Sequence, residues 1–314
     1  MLLFIIISIS LFILLYFLLR NKKPFVIKTV LISLMVFALV LHFLKGLFPP
    51  YSLNYEIHLR DSWFINICGA NIALFPFILI SKNKNLSNIE LILVADGMGG
   101  LENGARASNI VAYEMFKWFN SLTKNDLNNI EILKNKIKNK SLQIDDEIRT
   151  KCGTGGTTMV SALILFDRLL ITNIGDSRAY TFDGNLKQIT TDHSTTQRLY
   201  EQGEIEKIDD MRFHKKNNLI LSRLGCEKRL LEIDFYELDK DSIDYLFLFS
   251  DGITDLISNE RMETIIKNNG DIGNNIIEEV LTQDAYSKKL NSNDYYDKLE
   301  AGRDNASLIL KRRR

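Results

Sequence analysis

The sequence predicts an α+β domain over residues 51–314, preceded by a membrane-embedded helical hairpin over residues 1–50. Three observations lead there. Short strand patterns gather in blocks rather than alternating with helices, which favours packed sheets with helices outside over a doubly wound parallel sheet. Two long stretches in the middle repeat apolar residues at helical intervals. The N-terminus holds two apolar runs parted by a basic link.

Met1 to Leu19 carries no charge, and a helix crosses the hydrocarbon core in about 20 residues. Arg20 to Lys28 is a short basic link containing Pro24. Thr29 to Leu44 is a second apolar run bracketed by Lys28 and Lys45, whose side chains can snorkel to the interface. The first run lacks the basic start and small-residue cleavage site of a secretory signal. The pair therefore reads as a hairpin, and the protein as multi-pass in the cell membrane. Orientation pulls two ways. The charge of the link puts it on the cytoplasmic side and the domain outside. Unpaired cysteines and the chemistry argued below put the domain in the cytoplasm.

The zero net charge, 39 basic against 39 acidic side chains, averages two unlike parts. Residues 1–50 hold five basic residues and no acid, which leaves 34 basic and 39 acidic residues for the rest. A mildly acidic body excludes a nucleic-acid binder, which would show a basic face. Cys68, Cys152 and Cys226 have no short spacing. They form neither a disulfide framework nor a zinc site, in keeping with a reducing compartment.

Pro49-Pro50 ends the anchor, since proline cannot continue a helix. Leu91 to Ala95 is a short buried-strand pattern running into Asp96-Gly97-Met98-Gly99-Gly100. Ala105, Asn109, Ala112, Phe116 and Phe119 then fall at helical spacing. Leu127, Ile130, Leu133, Ile137, Ile144 and Ile148 make a second, longer amphipathic helix. Thr157 to Phe166, Leu169 to Ile174 and Ala179 to Phe182 read as strands, and Asp183-Gly184 as a hairpin turn. Ser194 to Gln202 reads as a helix stopped by Gly203, and Glu204 to Asn218 as a polar, irregular flap. Strands follow at Leu231 to Leu238 and Tyr245 to Phe249, helices at Glu260 to Lys267 and Ile276 to Leu290, and a last strand at Ala306 to Leu310.

Three features share one design. Asp96-Gly97 follows a strand, Asp251-Gly252 follows another, and Gly302-Arg303-Asp304-Asn305 precedes a third. Asp176, in Gly175-Asp176-Ser177-Arg178, stands at a further strand end. A carboxylate at the lip of a buried strand is costly unless something pairs with it. Four such acids without a matching lysine cluster suggest hard cations with oxygen ligands, Mg²⁺ or Mn²⁺. A glycine beside the aspartate permits close approach of a backbone carbonyl or a metal. A single Asp-Gly after a strand is usually just a turn, and Asp176 with Arg178 could form a local ion pair. The set in this order carries the signal.

These segments resemble the metal-dependent serine/threonine protein phosphatases of the PPM (PP2C-like) family, in its bacterial form. The matching segments are Val94 to Gly100, Asn103 to Ser108, Gly153 to Thr158, Asn173 to Tyr180, Ile189 to Ser194, Leu221 to Gly225, Leu248 to Ile257 and Gly302 to Leu310. The resemblance implies a PP2C-like sandwich of two antiparallel sheets flanked by helices, with two Mn²⁺ or Mg²⁺ ions at one end. Asp96 would bridge them, the Gly97 carbonyl would bind one, and Asp251 with Asp304 would complete the second ion's shell. Asp176 would help hold a third, weaker ion. A water between two cations ionises near neutral pH and is placed for in-line attack on a phosphomonoester, so no protein nucleophile is required. The implied substrate is a phosphoprotein made by a serine/threonine kinase. His193 reads as a structural residue rather than a general acid.

One segment departs from the pattern. The family's first motif, Arg-x-x-Asn-Glu-Asp, is best placed at Cys68-Gly69-Ala70-Asn71-Ile72-Ala73, where only Asn71 survives. That removes a phosphate clamp and two acids that serve the metals. The alternative is a weak or inactive pseudophosphatase, a membrane-tethered module that binds phosphoproteins.

Overall fold

Central strands buried on both faces produce the architecture. The computed structural model describes residues 54–59, 62–67, 77–83, 86, 89–98, 101–214, 216, 219–226, 231–268, 270–290 and 306–312. In chain order the strands begin β1 (Asn54–Leu59), β2 (Ser62–Ile67), β3 (Phe77–Lys82), β4 (Glu90–Ala95), β5 (Gly97–Met98) and β6 (Gly156–Thr157). They continue β7 (Met159–Ile164), β8 (Arg168–Ile174), β9 (Arg178–Phe182), β10 (Leu186–Gln188), β11 (Asp234–Asp239), β12 (Tyr245–Phe249) and β13 (Ala306–Arg312). The helices are α1 (Leu101–Ser121), α2 (Lys124–Leu127), α3 (Ile130–Cys152), α4 (Thr195–Glu201), α5 (Asp251–Thr254), α6 (Asn259–Lys267) and α7 (Ile272–Leu290).

Two sheets stack. One has six strands in the order β1-β2-β13-β12-β9-β10, the other five in the order β11-β8-β7-β4-β3, and β5 pairs with β6 as a short ribbon. Every pairing is antiparallel. Successive side chains on a strand point to opposite faces, and β4 shows the consequence. Ile92 and Val94 join Val160, Ala162 and Ile171 in facing Ala179, Leu246, Leu248 and Ile309 of the other sheet. Leu91, Leu93 and Ala95 point outward, onto Met115, Phe119, Ile144 and Ile148 of α1 and α3. The six-stranded sheet does the same, packing Tyr180, Phe247, Phe249 and Leu308 on Ile253, Met262, Ile265 and Ile276. Each such side chain contributes about 1.5–3 kcal/mol by leaving water. The expected α+β sandwich is thus a four-layer stack, helix–sheet–sheet–helix.

Register brings particular strand ends together. In one sheet Phe249 pairs with Arg178 and with Leu308, and Ala306 pairs with Ile67. In the other, Val94 pairs with Val160 and Met159 with Ile174. The last residues of β4, β8 and β12 therefore open onto Asp96, Gly175-Asp176 and Ser250-Asp251, beside the starts of β7, β9 and β13.

Several expectations shift. The strand over Thr157 to Phe166 divides into β6 and β7, and β11 starts at Asp234 rather than Leu231. The first four helical residues of α7 precede the expected start at Ile276, and the flap contains a 3₁₀ helix, Ile208–Phe213. The multi-pass membrane location is corrected. No helix among the described residues is long and apolar enough to cross a membrane. The apolar runs 1–19 and 29–44 lie outside the described residues.

Candidate functional site

The Asp96 corner is held by its backbone. The Thr158 amide and the Thr157 hydroxyl both donate to the Asp96 carbonyl, each at 2.8 Å, and the Asp96 amide donates to the Thr158 hydroxyl at 3.0 Å. Thr158 Oγ1 also lies 2.7 Å from Ser177 Oγ, beside Asp176. Two threonines of the Gly153 to Thr158 segment thereby connect one acidic corner to the next. Gly97 sits against the start of α1. A Cβ on Gly97 would stand 2.2 Å from the Gly104 carbonyl oxygen, so only glycine fits. Gly104 is equally constrained by the Gly97 carbonyl group, at 2.9 and 3.0 Å.

The Asp176 corner is fixed by its neighbours. Gly175 has φ of 107°, a region that favours glycine. Its amide donates to His193 Nδ1 at 3.1 Å, and its carbonyl accepts from the His193 amide at 2.9 Å and from Asn173 Nδ2 at 3.3 Å. With Nδ1 accepting, Nε2 carries the proton and donates to Asp234 at 3.1 Å. His193 is therefore occupied at both nitrogens as a brace. Arg178 does not pair with Asp176. Its fork closes on Asp192, from Nε at 2.9 and 3.0 Å and from Nη2 at 2.7 Å, while Nη1 reaches Tyr180 Oη at 3.4 Å.

Asp251 opens α5. The preceding Ser250 donates its amide to the Ser307 carbonyl at 3.1 Å and accepts the Ser307 amide on Oγ at 2.9 Å, locking this corner to the start of β13. Burial and then the nearby Asp255 push the Asp251 carboxyl up to about 6, against a hydrogen bond with the Asp96 carboxyl that works the other way. Asp176 is driven well above the ordinary carboxylate range by burial, then by Asp251, Asp192 and Asp255. Oδ1 of Asp176 and Oδ1 of Asp251 are buried without a hydrogen-bond partner among the described residues. Acids that crowd together in a dry site and lack donors need positive charge, and a divalent cation fits that need. Asp176 and Asp251 border a pocket that Arg178, Asp192, Ser194, Thr196, Met211, Arg212, Thr254 and Asp255 complete.

Asp96, Asp176 and Asp251 of the sequence-derived set are thus neighbours, with Gly97 beside them. Asp304 lies outside the described residues, as does the segment Cys68 to Ala73, on which the sequence reading placed the family's first motif. Among the described residues no three His, Cys, Asp or Glu side chains are grouped so as to hold a metal ion by themselves. Sequence reasoning missed Asp192, Asp255 and Arg212. Asp255 was within reach, because four residues after Asp251 is one helical turn, and its amide indeed donates to the Asp251 carbonyl at 2.8 Å.

Comparison with known proteins gives this geometry a context. Residues 81–271 match the family described as Protein phosphatase 2C. A serine/threonine phosphatase stp of Listeria welshimeri is 32% identical over 232 residues, covering 72% of this chain and 86% of the relative. A solved bacterial serine phosphatase, in a point-variant form, superimposes with a TM-score of 0.64 at 27% identity, over 81% of this chain and 98% of its own. The catalytic domain of the phosphatase PstP, solved with two manganese ions, shares the fold with a TM-score of 0.56 at 21% identity, over 84% of this chain and 97% of its own.

Proposed function

The chain belongs to the protein phosphatase 2C family and is a serine/threonine protein phosphatase of that type, and from this premise we propose how its own residues carry the reaction. We assign Asp96, the Gly97 carbonyl, Asp251 and Asp304 as ligands of two Mn²⁺ or Mg²⁺ ions, and Asp176 as a ligand of a third, weaker one. The substrates are phosphoserine and phosphothreonine monoesters of proteins, such as a serine/threonine kinase produces, and the catalytic domain takes residues 51–314. One observation supports the assignment above others: three acids from separate strand ends meet with buried, unsatisfied oxygens on Asp176 and Asp251. PstP with its two manganese ions supports the choice of metal.

When bound, the ions supply a water acidified towards neutral pH and offset charge on the phosphoryl oxygens. The protein contributes placement. Thr157 and Thr158 hold the Asp96 backbone, His193 and Asn173 hold the Gly175-Asp176 turn, and Ser307 holds Ser250. The hydroxyls adjoining Asp176 and Asp251 in the chain are engaged in such bonds: Ser177 with Thr158, and Ser250 with Ser307. That leaves them as supports rather than nucleophiles.

A second reading is favoured by Ile72 and Ala73, which stand where the family pattern has Glu-Asp. It is a pseudophosphatase that binds phosphoproteins without turning them over. Full-length protein assayed on p-nitrophenyl phosphate and a phosphothreonine peptide, with and without Mn²⁺, separates the two. Mn²⁺-dependent turnover that vanishes in Asp251→Asn supports the enzyme. Mn²⁺ uptake without turnover supports the binding module, and absence of uptake sinks both.

A further inference from the structure

The pocket beside Asp176 and Asp251 sets four carboxylates against two guanidinium groups, Arg178 and Arg212. A phosphomonoester entering it brings up to two negative charges of its own, so the protein needs a cationic fork facing it. Arg178 is committed, since Nε, Nη1 and Nη2 all bond to Asp192 or Tyr180 inside the wall. Arg212 reaches the pocket from the flap, on the 3₁₀ helix Ile208–Phe213.

The flap is docked where this matters. Asp209 Oδ1 accepts the Asn259 amide at 3.2 Å, and Arg212 Nη1 donates to the Leu256 carbonyl at 3.3 Å, both on the stretch following Asp251. Met211 is buried and anchors the turn. Arg212 Cζ lies 4.4 Å from the centre of the Phe213 ring. A planar guanidinium stacked on a ring is oriented before any ligand arrives, so it loses less freedom on binding.

We infer that Arg212 is the phosphate-orienting residue of the flap, gripping the phosphoryl oxygens of the substrate while Arg178 keeps Asp192 in the pocket wall. The inference rests on the phosphatase reading above. Its rival is a latch: Arg212 tethers the flap to Leu256 and balances Asp209 and Asp255, without touching substrate.

Phosphate binding distinguishes them independently of turnover. Full-length protein loaded with Mn²⁺ is titrated calorimetrically with inorganic phosphate, and assayed separately on a phosphothreonine peptide. Arg212→Ala weakens phosphate binding about ten- to a hundredfold and raises KM for the peptide more than it lowers kcat. Arg212→Lys recovers part of the affinity, because it keeps the charge and loses the fork. Arg212→Gln keeps a polar side chain and removes both the charge and the fork. It shows the full loss if Arg212 grips phosphate, and wild-type phosphate affinity if Arg212 is a latch. Unchanged phosphate affinity in the Ala and Gln variants overturns the inference, as does a wild-type protein that takes up Mn²⁺ but no phosphate. Phosphate binding without turnover in the wild type would sink the phosphatase reading alone and leave the Arg212 comparison intact.

Discussion

The Asp176 and Asp251 corners face the same pocket as the flap, but the acidic corners and the flap are held differently. Around Asp176, the Gly175 amide and carbonyl are both engaged, and His193 is itself held by Asp234. Around Asp96, three bonds with two threonines fix the peptide units on both sides of the residue. The 3₁₀ turn of the flap meets the stretch after Asp251 through the Asn259 amide on Asp209, at 3.2 Å, and Arg212 on the Leu256 carbonyl, at 3.3 Å, and leaves Phe213 half exposed. Several bonds converging on one turn suit groups proposed to hold cations at fixed positions. A partly exposed segment suits the admission and release of a polypeptide substrate. Substitutions at the corners should therefore remove chemistry or stability, and substitutions in the flap should change substrate affinity.

The largest effect is expected at the corner that follows β12. Asp251→Asn keeps the shape and removes the charge, so Mn²⁺-dependent hydrolysis of p-nitrophenyl phosphate should fall roughly a thousandfold or more. Circular dichroism should show the same fold. Retention of more than a tenth of the wild-type rate would remove Asp251 from the metal site.

Next comes the contact between Gly97 and Gly104. Gly97→Ala places a methyl group 2.2 Å from a backbone oxygen that has no rotamer to escape into. Overpacking of this kind costs about 1–3 kcal/mol or more, and here it would also displace the peptide next to Asp96. A urea titration showing wild-type stability would mean that the start of α1 yields more readily than this contact allows.

Much of this was legible in the sequence, for identifiable reasons. β4 and β12 are legible because burial on both faces writes continuous apolar runs, and β9 because Gly175-Asp176 and Asp183-Gly184 punctuate it at both ends. β1, β2 and β3 were missed. NYEIHL and SWFINI of β1 and β2 carry mixed polarity and no terminal turn signal, whereas FILISK of β3 holds an apolar run that was passed over. β5 and β6 have two residues each, too short for any period to register. Asp96, Asp176 and Asp251 were legible as acids at strand ends. Arg212 was not, because its flap shows neither periodicity nor a motif, and tertiary docking through Met211, Asp209 and Arg212 itself turns that segment towards the pocket.

Acidity sharpens the contrast in the metal-free protein. The folded-state pKa of Asp251 is raised from 3.8 to about 6, so between those values the folded state binds more protons than the unfolded one. Stability from this group is therefore present at low pH and lost as pH rises through that window. Asp176 adds in the same direction. Relative to wild type, metal-free Asp251→Asn should gain stability between pH 4 and pH 7, by at most about 3 kcal/mol. Saturating Mn²⁺ should reverse the sign near neutrality, because cation binding favours the ionised carboxyls that repel one another without it. Denaturation midpoints for both proteins at several pH values, with and without Mn²⁺, would test this. A difference that is flat with pH would mean that Asp251 is not the strained acid of the site.

The smallest expected effect concerns the brace on the other corner. His193→Ala strips the Gly175 amide of its acceptor in a buried place, at a cost of about 1–3 kcal/mol. It should lower activity through the position of Asp176 rather than through proton transfer. His193→Asn separates those roles, since its side-chain carbonyl can accept from the Gly175 amide but cannot act as an acid near neutral pH. If the residue is a brace, Asn restores most of the stability and rate that Ala loses, and the pH–rate profile keeps its wild-type shape. If His193 were the general acid, both variants would be equally slow and the alkaline limb of the profile would move. The corner would then be catalytic in its own right, and the division between fixed corners and an adaptable flap would need a third part.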